Sequence, residues 1–87
     1  MRIVLIGAGK GGFALITTFS ECRDVHVVGV ADINFESEGL KLAEKLKIPI
    51  ASHFEELVTK DGIDLIINVT GASGVTERIR ELIGNRI

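Results

Sequence analysis

Apolar residues gather along the chain into four short runs, residues 3–6, 25–31, 48–51 and 63–69, each bounded by Gly, Asp, Asn, Pro or Ser. The runs are rich in Val and Ile, and most are continuously hydrophobic, as in Leu65-Ile66-Ile67. Strands buried on both faces of a parallel sheet read this way, whereas a sheet with one wet face would alternate. Between the runs the period lengthens to that of a helix. Leu15, Phe19 and Cys22 form an apolar stripe after Gly12, followed by Leu42, Ala43 and Leu46, then Phe54, Leu57 and Val58, and last Val75, Ile79, Leu82 and Ile83. Ser52 with Glu55 three residues on reads as a capping box for the third helix. Asp61-Gly62 reads as its break, and Gly84-Asn85 as the cap that ends the fourth.

This β-α-β-α-β-α-β-α order predicts an α/β domain of three layers. About four parallel strands in the order 3-2-1-4 carry helices on both faces, as in one half of a doubly wound sheet. Residues 1–87 make one domain, far short of the roughly 250 residues of a closed eight-stranded barrel. Asn85-Arg86-Ile87 reads as the opening of a fifth strand, so the expectation is a fragment or N-terminal domain of a longer protein. In that order the run 63–69 is an edge, apolar on both faces at residues such as Ile67. Self-association through this strand and the helix over 75–83 is therefore expected, unless a return by Arg86-Ile87 covers the edge.

Composition narrows the partners. Ten Lys and Arg against twelve Asp and Glu leave a net charge of -2 with no basic cluster, which argues against nucleic acid and acidic membrane surfaces. A single cysteine, Cys22, and two histidines, His26 and His53, provide neither an internal disulfide nor a zinc ligand set, and the expected setting is the cytoplasm. The opening Met1-Arg2 and apolar stretch end at Lys10, too short to span a bilayer and without a cleavage site.

The chemistry concentrates at Gly7-Ala8-Gly9-Lys10-Gly11-Gly12, which matches G-x-G-x-x-G between the first strand and the first helix. Gly7 permits the turn, Gly9 leaves room for a pyrophosphate beside the backbone, and Gly12 lets helix and strand approach. The first N–H groups of the helix then face the phosphates. Asp32 ends the second strand, 20 residues after Gly12, where an acid accepts hydrogen bonds from a ribose diol and repels a 2′-phosphate, and Ile33 follows it. NAD is thus the expected cofactor, with NADP disfavoured. An S-adenosylmethionine site shares the turn and the acid, but the full glycine match with its uninterrupted helix favours a dinucleotide. A P-loop is excluded, because G-x-x-x-x-G-K-[ST] requires Gly and Ser or Thr where Val4 and Gly11 stand.

Three segments carry a resemblance to the NAD(P)-binding Rossmann superfamily: residues 3–12, the Val-Gly-Val-Ala-Asp ending at Asp32, and Asp64-Leu65-Ile66-Ile67-Asn68-Val69-Thr70-Gly71. The chain is similar to the N-terminal domains of homoserine and aspartate dehydrogenases, dihydrodipicolinate reductases and the glucose-fructose oxidoreductase group. That resemblance implies the cofactor-binding domain of an oxidoreductase, with Asn68, Val69, Thr70 and Gly71 near the nicotinamide. Similar segments also stand at the front of bacterial multidomain signalling proteins, which implies the alternative of a regulatory nucleotide-sensing or interaction module. No catalytic constellation is visible. His53 lies on the ligand edge of the sheet, where a solvated histidine at a helix start is the commoner role; His26 reads as structural and Cys22 as a small buried hydrophobe.

Overall fold

Val, Ile and Leu alternate their side chains to opposite faces of a strand, so an unbroken apolar run needs a cover on each side. The computed structural model, which describes residues 1–84, supplies both covers. Its elements are β1 (Arg2–Ile6), α1 (Lys10–Ser20), β2 (His26–Ala31), α2 (Glu38–Lys45), β3 (Ile50–Ala51), α3 (Glu55–Val58), β4 (Leu65–Asn68) and α4 (Val75–Ile83). The four strands form one sheet in the order β3-β2-β1-β4, with every pairing parallel. Alternation sorts β1 between two cores. Leu5 joins Ile16, Val30, Leu40 and Ala43 under α1 and α2, while Val4 and Ile6 join Ala31, Leu57, Val58, Ile79 and Ile83 under α3 and α4.

The helices carry the expected number and order but not always the expected face. In α1 the buried positions are Gly12 and Ile16; Leu15 and Phe19 are half-buried, and Cys22 is exposed beyond the helix end at Glu21. In α2 they are Gly39, Leu40 and Ala43, while Leu42 is half-buried and Leu46 lies exposed at the C-cap. The fourth stripe stands as expected, with Ile79 and Ile83 buried and Val75 and Leu82 packed beside them.

Boundaries differ where backbone chemistry intervenes. β3 keeps only Ile50–Ala51, because Pro49 has no N–H to give a ladder, although its carbonyl still accepts from Val30 N at 3.0 Å. The capping box does not form: α3 starts at Glu55 with Phe54 at its N-cap and no side-chain cap. β4 is shorter than the apolar run, yet Asp64 N to Arg2 O at 2.8 Å and Val69 N to Ile6 O at 2.9 Å extend its bonding by one residue at each end. The expected fifth strand at Asn85-Arg86-Ile87, and the Asn85 part of the last cap, lie outside the described residues.

Candidate functional site

Parallel strands all end on the same edge, and the segments leaving that edge enclose the crevice where open α/β sheets take their ligands. Here the segments after β1, β2, β3 and β4 enclose a cleft of about 410 Å³. Its centre is the turn between β1 and α1. Gly7 leaves β1 at φ +98, and a Cβ there would stand 3.0 Å from Thr70 N and from the Val69 carbonyl carbon. Only glycine meets both demands. Gly12 is equally constrained, since its Cβ would lie 2.5 Å from Gly7 O. Gly9 is the exception: it lines the cleft, and a Cβ there meets nothing within 4 Å.

The Ala8 residue between them is held from both sides. Its N–H donates to Asp32 Oδ2 at 2.8 Å, and its carbonyl accepts from Gly39 N at 2.6 Å. The second bond brings the start of α2 so close that a Cβ on Gly39 would fall 2.4 Å from Ala8 O. It also explains an orphaned hydroxyl. Ser37, the N-cap of α2, is buried with its Oγ unpartnered, because Gly39 N–H, a donor that an N-cap serine ordinarily takes, is given to Ala8. Asp32 accepts a second N–H at Oδ1, from Asn34 at 2.9 Å, and remains half-buried with its carboxylate on the cleft.

Gly7, Ala8, Gly9, Asp32, Ile33, Val69 and Thr70 therefore come together around one space. Lys10, Gly11, Gly12, Asn68 and Gly71 do not line it. Lys10, Gly11 and Gly12 form the first turn of α1, whose leading N–H groups have no partners within the helix. Asn68 is spent on the wall behind: its Oδ1 accepts from Thr70 N at 3.0 Å and Thr70 Oγ1 at 2.8 Å, and its Nδ2 donates to Thr76 Oγ1 at 3.1 Å. Thr70 Oγ1 in turn accepts from Ala72 N at 3.1 Å. Ile6, Ala31, Ser52, Phe54, Ala72 and Val75 also line the cleft and were not singled out as ligand contacts from sequence. The signal that locates several of them is positional, since Ser52 and Phe54 follow the end of β3. His53, between those two, is exposed and off the cleft.

Among the described residues Asp32 is the one ionisable side chain on the lining, and the first turn of α1 carries no acidic residue. Among the described residues there is no group of three or more His, Cys, Asp and Glu fit to hold a metal, and no helix long and apolar enough to cross a membrane. A glycine turn at a helix start, an acid at the next strand end and a cleft between them define the Rossmann-like class of nucleotide-binding domains. The family model described as CoA binding domain matches residues 1–87, and the chain belongs to that family. No curated protein and no solved structure matches it.

Proposed function

We propose that the chain binds the adenosine diphosphate portion of a nucleotide cofactor, with the diphosphate against Gly9 and the first turn of α1 and the ribose beside Asp32. The observation that carries this reading is Gly9: it lines the cleft at the start of α1, and among the described residues nothing lies within 4 Å of where its Cβ would stand, which leaves the backbone open to an approaching diphosphate. Adenosine diphosphate is common to NAD and coenzyme A, and the two differ at the ribose. NAD leaves the diol free, NADP adds a 2′-phosphate, and coenzyme A carries a 3′-phosphate. With a carboxylate as the sole ionisable group among the described residues of the lining, a free diol is favoured and either extra phosphate is repelled. NAD(H) is therefore the preferred ligand of this proposal. Coenzyme A is the second reading, favoured by the description of the family.

The domain then supplies nucleotide binding to an oxidoreductase of the dehydrogenase-like kind, or senses the nucleotide as a regulatory module. In either role Gly7, Ala8, Gly9, Lys10, Gly11, Gly12, Asp32 and Ile33 serve the adenosine diphosphate, and the Asn68, Val69, Thr70 and Gly71 segment shapes the space for the remainder. Calorimetric titration with NAD and NADP tests the reading. NAD binding roughly tenfold tighter, equivalent to about 1.4 kcal/mol, is expected; no binding of either, or equal binding, contradicts it.

Assembly belongs to the same proposal. Among the described residues β4 is a sheet edge, with Ile66 packed against one core, Ile67 against the other, and Leu65 39% exposed. Unpaired edges of this kind template further pairing, so a second copy is expected to pair along β4 and the neighbouring α4. Sedimentation should show a dimer that Leu65→Lys dissociates; a monomer at high concentration of the unmodified chain rejects the pairing.

A further inference from the structure

We infer that Ser52 reads the base of the bound nucleotide, an inference that rests on the proposal that the cleft takes an adenosine diphosphate. Three strand ends step outward from the glycine turn. The turn follows β1 at Ile6, Asp32 follows β2 at Ala31, and Ser52 follows β3 at Ala51; the registers set Ile6 beside Ala31 and Ala31 beside Ala51. Asp32 N donates to Ala51 O at 3.1 Å, which ties the second end to the third. Adjacent strands lie about 4.8 Å apart, roughly the step from diphosphate to ribose and from ribose to base along an extended nucleotide. A ligand with its diphosphate at Gly9 and its ribose at Asp32 thus carries its base to Ser52.

The side chain is available for that task. Among the described residues Asp32, Ser52 and Thr70 are the three polar side chains on the cleft. The Thr70 hydroxyl is committed to Asn68 and Ala72, and each Asp32 oxygen already holds one backbone N–H. Ser52 is half-buried, caps nothing in α3, and its hydroxyl makes no bond to the described residues. A serine hydroxyl both donates and accepts, which suits a base edge presenting a ring nitrogen beside an amino group, as adenine does. Ile33, next to Asp32, and Phe54, two residues after Ser52, add apolar side chains to the same lining, the kind of surface a base ring packs on.

The test titrates the unmodified chain, Ser52→Ala and Ser52→Thr with ADP and with ribose 5-phosphate. Loss of one neutral hydrogen bond corresponds to about two- to tenfold weaker binding. Ser52→Ala is expected to weaken ADP by that factor while leaving ribose 5-phosphate unchanged, and Ser52→Thr, which keeps the hydroxyl, is expected to retain most of the ADP affinity. Unchanged ADP binding by Ser52→Ala, or equal weakening of both ligands, overturns the assignment of Ser52 and leaves the nucleotide site standing. Failure of the unmodified chain to bind ADP overturns the site and the role of Ser52 together.

Discussion

The two flanks of the cleft carry similar polar residues and use them in opposite ways. Beyond β4, Asn68 and Thr70 bond to each other, and through Thr76 and Ala72 they tie the strand end to the approach and first turn of α4. Each polar side chain there is already tied to the protein, and the lining is Val69, Ala72 and Val75 with a Thr70 hydroxyl bonded to Asn68 and Ala72. Beyond β2 and β3, Asp32 accepts one backbone N–H at each oxygen and still lines the cleft with lone pairs to spare, and Ser52 makes no hydrogen bond among the described residues. The contrast separates residues that shape a wall from residues that remain free to read a ligand. Residue type alone does not make that separation, since a hydroxyl and an amide can do either.

The largest effects are expected at the turn both flanks share. Gly9→Val should remove measurable ADP binding in equilibrium titration while the far-UV CD stays unchanged, because Gly9 has φ -71, which any residue adopts, and open space before it. Gly39→Ala should do the reverse in order of cause, lowering stability by about 2 kcal/mol, or roughly 10 °C in thermal melts, as its Cβ is driven into Ala8 O. If Gly9→Val unfolds the protein, the turn is structural on both sides and the contrast between open and filled positions fails.

A smaller effect separates the two duties of Asp32. Asp32→Ala removes the acceptor of Ala8 N–H and should cost about 1 kcal/mol of stability, a value reduced for the exposure of the group, while bringing NAD and NADP affinities together. Asp32→Asn keeps an acceptor oxygen and should recover the stability without recovering the cofactor preference. Thermal melts and paired titrations of the two variants read the two duties independently; recovery of both by Asn would mean that charge plays no part.

The smallest effect belongs to the β4 flank. Asn68→Ala should destabilise by about 1 kcal/mol and weaken NAD and NADP by the same factor, because it loosens the wall without touching the group that discriminates between them. A change in the NAD to NADP ratio would place Asn68 among the reading residues.

Much of this architecture is legible in the chain itself. Continuous Val and Ile runs carried the four strands and their two covered faces, and the Gly7, Gly9, Gly12 and Asp32 spacing marked the cleft. The helix faces differ from the apolar stripes for a physical reason. Gly12 and Gly39 occupy buried positions because only glycine fits against Gly7 O and Ala8 O, and glycine contributes nothing to an apolar stripe. The pattern therefore pointed to their neighbours Leu15, Phe19, Cys22, Leu42 and Leu46. Ser52 with Glu55 three residues on has the spacing of a cap, but α3 is four residues long and begins only at Glu55, with Phe54 at its N-cap. Asn68 stands at the end of β4, where the sequence expects it; that its amide bonds Thr70 and Thr76 depends on how the loop into α4 folds back, which no local pattern encodes.

The central claim is that the cleft takes an adenosine diphosphate whose ribose carries no phosphate. Coenzyme A and dephospho-coenzyme A differ in that one group alone, so a competition titration of the unmodified chain with this pair tests the claim most directly. Dephospho-coenzyme A is expected to bind roughly tenfold tighter, through relief of repulsion at Asp32. Tighter binding of coenzyme A, with its 3′-phosphate, would contradict the account and give the site to the ligand of the family's description.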